Sequence, residues 1–278
     1  MTRRRRIAIA LALLAVVHVA ALLAGFLAPY PYAEQHRDRP YAPPGNGFLL
    51  GTDAYGRDVL SRVLYGARIS LFAGLAATLV SLVLGLAAGI AAGYFGGWCD
   101  RLLMRGGELM MALPWLYLLL AVRALLPLDI SPGAAFLLLA GIIGAAGWVR
   151  PARLVRGVVL SARERAFVQA ARGFGAGHGY LIRRHLLPLT TSVVVTQATV
   201  LAPQYILAEV ALSFLGLGVA EPVPSWGNML AELRHFGALT SHAWMLAPAL
   251  VLVPVLLMYL VISDTLLDTL NLRQGRGA

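Results

Sequence analysis

Only a few residues in this chain have the types and spacing to do chemistry. Ser192, Thr196, Thr199 and Pro203 follow at i, i+4, i+7 and i+11, which puts them on one face of a helix. Gln197 and Gln204 lie on the adjacent face. Hydroxyl and amide groups are costly in lipid, so this side must meet protein or water. Two roles fit: hydrogen bonding between helices, or lining a path for a polar solute. Pro203 removes a backbone hydrogen bond and is expected to kink its helix, and Pro114 and Pro248 carry the same expectation for two other apolar stretches.

A second segment, "FVQAARGFGAGHGYLIRRHLLP" from Phe167 to Pro188, is basic and glycine-rich amid apolar sequence. Its first part is a good helix former with a small, smooth patch expected at Ala166, Ala170 and Ala171 and, less so, Val168. Gly173, Gly175, Gly177 and Gly179 then break the run, because glycine is costly inside a helix and favoured where one ends. "YLIRRHLLP" resumes a helix, and Pro188 marks entry into the next apolar stretch. The pattern predicts helix, turn and helix. Such an element fits docking into a groove on a partner, and it equally fits a solvated loop held at the membrane by arginines.

Much chemistry is missing. All the basic residues are arginine, so a G-x-x-x-x-G-K-[ST] phosphate loop cannot occur. There is no H-E-x-x-H, C-x-x-C or G-x-S-x-G either. The single cysteine, Cys99, rules out an intrachain disulfide. His235 and His242, near Met229 and Met245, suit solvated loop histidines better than a transient metal site. His18 is expected to pack at a helix interface. Glu209 and Arg123 fall near the expected outer ends of apolar runs, where snorkelling is easy. With no carboxylate expected at mid-membrane, the energy source for any transport is expected in another polypeptide.

The elements that must position these residues are membrane helices. The chain has 278 residues, 59% of them hydrophobic and only 13% charged. Its mean hydropathy of +0.74 points to an all-α polytopic membrane protein. The net charge of +10 comes from arginines that mostly lie between apolar runs, which indicates topology control rather than nucleic-acid binding. Four arginines precede the first run, whose length suits a retained spanning helix rather than a signal peptide. Further runs cover about Ile69–Ala92, Leu109–Leu126, Ala134–Val149, Leu189–Leu215 and Trp244–Ser263, giving six spans. Residues 1–28 are then a cytoplasmic N-terminus and first transmembrane helix, and 29–68 an extracytoplasmic loop. Residues 69–278 form a five-helix core with a cytoplasmic loop at about 150–188. That loop is the most arginine-rich, and it sets both termini in the cytoplasm. In the second run Ala73, Ala77, Ser81, Gly85, Gly89 and Gly93 recur every fourth residue, a stripe that permits close helix packing inside this subunit or against a second one.

"QAARGFGAGHGYLIRRHLLP" resembles the EAA signature of bacterial ABC importer permeases: E-A-A, three residues, Gly, nine residues, Ile, one residue, Leu-Pro. Gln169-Ala170-Ala171, Gly175 and Leu187-Pro188 fit that spacing. Gln169 stands where the signature has glutamate. His185 stands where it has isoleucine, a change common in the dipeptide, oligopeptide and nickel branch. Three more blocks resemble the C-type subunit of that branch: "LLGTDAYGRDVLSRVLYGARISL", "AGYFGGWCDRLLMRGGELMMALP", with Glu108 where an aspartate usually stands, and "AEVALSFLGLGVAEPVPSWGNML".

The resemblance implies a six-helix type I ABC importer permease fold in the bacterial inner membrane. It implies a second, B-type permease subunit, two cytoplasmic ATPase subunits and an extracytoplasmic solute-binding protein. ATP and Mg would be bound by the ATPases, with no cofactor or metal in this chain and no enzymatic activity of its own. Ala166, Gln169, Ala170, Ala171, Gly175, His185, Leu187 and Pro188 would form the ATPase coupling loop, and Ser192, Thr196, Thr199, Pro203 and Gln204 would line the pathway. Peptides lead as solute, with nickel and other small solutes as alternatives and a self-powered secondary transporter as the rival class.

Overall fold

The computed structural model describes residues 3–45, 47–125, 127, 130–234 and 241–274. The described residues form helices and turns, with no strand among them. The helices are α1 (Arg3–Leu22), α2 (Val59–Phe95), α3 (Gly97–Ala112), α4 (Trp115–Ala124), α5 (Pro132–Gly147) and α6 (Val149–Arg163). They continue with α7 (Ala166–Gly173), α8 (His178–Phe214), α9 (Trp226–Ala231) and α10 (Ala247–Gln274). In α8 a π-helical turn, Ile182–Leu186, joins a first turn to the main α-helix. Four stretches are long and apolar enough to cross a membrane unbroken: Arg5–Leu22, α2, α8 and Ala243–Leu267. Two bent pairs, α3 with α4 and α5 with α6, raise the number of candidate spans from four to six when each pair is counted as one.

The structure moves several boundaries. α2 starts at Val59, well before the apolar run at Ile69. Asp58 caps it by accepting from the Ser61 main-chain N–H at 2.8 Å, so the helix begins in polar sequence. The third span is two helices bent by 91° around Leu113–Pro114, since Pro114 cannot continue the hydrogen-bond ladder. Pro203 does not break α8, which runs through it as one span. Pro248 lies in the first turn of α10, where its missing N–H costs nothing.

α2 is the central post. The small stripe faces inward and is buried along its length. A methyl group at Gly85 would lie 2.6 Å from Pro151. At Gly89 it would lie 2.6 Å from the Ala152 carbonyl, and at Gly93 2.8 Å from Val159. α6 therefore lies backbone to backbone on α2, and the stripe serves packing within this subunit. Higher up, Gly74 admits Ile206 of α8, and Gly144 of α5 sits against Ala77 and Val80.

Candidate translocation cleft and coupling loop

The segment from Ala166 to Pro188 is built on one buried anchor. Val168 is fully buried against Val155 and Val159 of α6 and Leu181 and Leu186 of α8. The rest of α7 turns outward: Ala166, Phe167, Gln169 and Ala170 are exposed, with Ala171 half-buried. The helix ends in a Schellman motif, in which Ala176 N–H donates to Ala171 O at 3.1 Å and Gly175 N–H to Arg172 O at 3.0 Å. Gly175 has φ +83°, a left-handed conformation that glycine adopts without strain. Phe174, 92% exposed, projects from this turn. Behind it, Tyr94 Oη bonds His178 Nδ1 at 2.7 Å, and Arg163 Nη1 donates to Gly93 O at 3.1 Å. These bonds tie the loop to the C-terminal end of α2. His185 lies in the π turn between the rings of Phe167 and Tyr180. Leu187 and Pro188 open the main part of α8.

A cleft of about 440 Å³ opens between the α3–α4 bend, the α5–α6 junction and α8. Met110, Met111, Trp115, Leu201 and Leu207 give it apolar walls. Its polar groups are Arg150, Gln204 and Tyr205. Arg150 Nη1 donates to Gln204 Oε1 at 3.4 Å, and Tyr205 Oη pairs with Ser81 Oγ at 3.0 Å. Of the five residues expected to line a path, Gln204 alone lies on this cleft. Thr196 and Pro203 are buried in the protein interior. The Thr196 and Thr199 hydroxyls donate to the helix's own carbonyls, Ser192 O and Thr196 O, at 2.9 Å each, a local bond that satisfies a hydroxyl in lipid. Ser192 is exposed away from the cleft. Arg150 went unrecognised in the sequence because it directly follows an apolar run and counted with the cytoplasmic arginines.

The N-terminal end of α2 carries a third constellation. Arg57 Nε donates to Asp53 Oδ2 at 2.6 Å, Nη1 to Glu221 Oε2 at 2.6 Å and Nη2 to Glu232 Oε1 at 3.1 Å. Arg62 Nη2 donates to Glu221 Oε1 at 2.9 Å. Asp53, Arg57 and Arg62 are each buried. Gly56, at φ +72° and with no room for a β-carbon beside the His36 carbonyl, makes the turn that brings Arg57 back to Asp53. Burial first, then the Asp53 charge, pushes Glu232 up to about 7 against the pull of Arg62 and Arg57. The first loop is thus fastened to the segment after α8, although its charges look merely interspersed in sequence.

Glu209 and Arg123 do not snorkel. Both are fully buried. Glu209 accepts from Ser213 Oγ at 2.6 Å, and Arg123 donates to Leu217 O at 2.8 Å and Pro127 O at 3.0 Å. Arg123 faces protein because carbonyls left open beyond the helix ends need donors, and Glu209 because the Ser213 hydroxyl on its own helix offers its carboxyl a donor there. His18 does pack between helices, its Nε2 3.3 Å from Tyr259 Oη. His242 stacks on Tyr41 at 4.2 Å, and His235 lies outside the described residues. No cluster of metal ligands occurs among the described residues.

Four to six apolar spans, an open cleft between helices and an anchored loop with a solvent-facing side define a polytopic membrane transport component. Residues 85–274 match the family described as the binding-protein-dependent transport system inner membrane component. The chain is 36% identical over 271 residues to the dipeptide transport system permease protein of Bacillus subtilis (strain 168), covering 97% of this chain and 82% of that one. It is 39% identical over 276 residues to the glutathione transport system permease protein of Escherichia coli O6:K15:H31, covering 97% and 87%. The glutathione permease protein of Shigella boydii serotype 4 is similar to the same degree. The chain belongs to this family: it is a multi-pass inner-membrane permease subunit of a binding-protein-dependent ABC importer.

Proposed function

We propose that this chain forms half of the translocation pathway for a di- or oligopeptide and couples it to ATP hydrolysis in partner subunits. The observation that carries the coupling role is α7: one residue, Val168, is buried, and a small and aromatic face is turned out to solvent. That face suits a cleft on a cytoplasmic ATPase, where ATP and Mg are bound. A second, B-type permease subunit completes the pathway, and an extracytoplasmic binding protein delivers the solute. Both termini and the coupling loop face the cytoplasm, and the Asp53–Arg57–Glu221 cluster faces outward.

The peptide reading is supported by relatives whose names specify dipeptide and glutathione transport. The cleft fits as part of the pathway because it combines apolar walls with a few polar groups. The mechanism is alternating access: closure of the ATPases moves α7, and the rigid α2–α6 contact carries that motion to the α5–α6 junction at the cleft. The test is uptake of a labelled dipeptide by the assembled importer in proteoliposomes. Uptake that requires ATP and the binding protein supports the reading. Uptake by this chain alone, driven by an ion gradient, would overturn it.

A further inference from the structure

The α2–α6 contact fixes how deep Arg150 lies. Gly85 meets Pro151 and the Trp148 carbonyl, and Tyr205, beside Arg150 in the cleft, bonds Ser81. Arg150 is therefore level with residues 81–85 of α2, a helix of 37 residues. At 1.5 Å per residue, Ser81 is about 20 Å below Arg68. Arg68 marks the outer end, because its guanidinium holds the last carbonyls of α1 at Ala21 and Leu22. Ser81 is also about 21 Å above the inner end at Phe95. The hydrocarbon core is about 30 Å thick, so a core that begins at Arg68 ends about 20 residues further along α2, and Arg150 lies inside it, about 5–10 Å short of its inner edge.

An exposed arginine at this depth is costly unless its charge has work to do. Its neighbours on α6 are provided for: Arg156 makes a bidentate pair with Asp100 at 2.5 and 2.6 Å, and Arg153 lies 3.5 Å from Glu108. Arg150 touches one neutral group, Gln204 Oε1, and no carboxylate among the described residues pairs with it. It is also the charged residue among those lining the cleft. Apolar walls around one guanidinium strengthen its attraction for an anion, and the guanidinium fork matches the two oxygens of a carboxylate.

We propose that Arg150, steadied by Gln204, recognises a carboxylate of the solute as it passes through the cleft. This rests on the peptide reading, since a peptide brings a carboxylate at its C-terminus and on acidic side chains. Gln204 holds one side of the guanidinium and leaves its remaining N–H groups to the solute. Trp115, Met110 and Met111 offer apolar surface to the peptide's side chains.

The test uses the complete membrane complex, both permease subunits with the ATPases, in nanodiscs without the binding protein. A dipeptide carrying benzoylphenylalanine is photolysed and the labelled residues mapped by mass spectrometry, since this group reacts readily with methionine. The free acid is expected to label Met110 or Met111 about tenfold or more above its C-terminal amide, as loss of a charge-assisted bond implies. Arg150→Gln is expected to lower the acid to the level of the amide and leave the amide unchanged, with Arg150→Lys in between. An amidated dipeptide with a glutamate side chain tells a side-chain carboxylate from the main-chain one.

Equal labelling by acid and amide overturns the proposal, as does an Arg150→Gln variant that keeps the wild-type ratio. Loss of subunit assembly in Arg150→Gln, restored by Arg150→Lys with an unaltered ratio, also overturns it and assigns Arg150 to the partner subunit. Wild-type uptake of the dipeptide is measured in parallel with the binding protein present. Its absence would sink the peptide reading itself, whatever the labelling shows.

Discussion

Gln169 donates its side-chain amide to the main-chain carbonyl of Arg163 at 3.0 Å, so it closes the end of α6 while lying on the exposed face of α7. A glutamate, the usual residue in the resembling signature, carries no amide hydrogen to give. It would also place a negative charge at a helix C-terminus, where the dipole opposes it. Gln169→Glu is expected to loosen the α6–α7 corner by about 1 kcal/mol. Amide hydrogen exchange should quicken over residues 164–170 and stay unchanged in α2. An unchanged corner would mean that the bond contributes nothing in solution.

Gly175 separates backbone strain from partner contact. No atom of this chain lies within 4 Å of where its side chain would begin. Gly175→Asn should fold and couple nearly normally, since asparagine tolerates φ +83°. Gly175→Val adds about 1–2 kcal/mol of left-handed strain and a bulky group on the face proposed to dock. The valine variant is expected to keep its fold and lose dipeptide uptake and ATPase co-purification. Normal uptake with normal assembly in that variant would remove the coupling role.

Gly89 tests the central contact. Gly89→Leu would push a side chain into Val155 and the Ala152 carbonyl, both closer than 3 Å to its first atom. Rigid backbone cannot yield, so a loss of about 3 kcal/mol or more is expected. It should appear as a lower thermal midpoint in detergent. Gly106, with open space around it, is the control position, and Gly106→Leu should leave the midpoint nearly unchanged.

The outer cluster predicts a cost for Arg57→Met. The substitution leaves Asp53, 2% exposed, with the longer 3.4 Å contact to Arg62 as its remaining ion pair. A destabilisation of about 3 kcal/mol is expected, because removing one partner strands a buried charge. Limited proteolysis should then cut within residues 29–58 faster than it does in the wild type.

Glu232 gives this cluster a pH dependence. Folded, Glu232 keeps its proton up to about 7, against an ordinary value of 4.5. Its surroundings are Asp53, Arg57, Arg62 and Glu221. Between the two values the folded state binds more protons than the unfolded one, so stability falls as pH rises through that window. The full difference is on the order of 3 kcal/mol at most. Melting in detergent from pH 5 to pH 8 should show this decline, and Glu232→Gln should flatten it. A wild type with constant stability over that range would contradict the assignment.

Sequence alone was enough for the apolar stretches, of which the structure makes four to six candidate spans, for the helix–turn–helix at residues 166–188 and for the family. Hydrophobic length is a local property, because a bilayer demands about twenty apolar residues wherever a helix crosses it. Glycine in a basic run likewise marks a turn without knowledge of anything distant. Tertiary structure decided what depends on which helix lies beside which. Small residues at Gly85, Gly89 and Gly93 announce close packing, but only the fold names α6 as the neighbour. The period of Ser192, Thr196 and Thr199 correctly groups one face, yet that face points away from the cleft. Arg57 and Glu221 are separated by 164 positions and meet at 2.6 Å. Arg150 sits just past an apolar run and looks cytoplasmic. The 47° bend between α5 and α6, and the glycines that let α6 lie along α2, set it level with Ser81–Gly85 of α2 instead. Periodicity fixes the face a side chain is on, and close packing of backbones fixes its depth and what lies opposite.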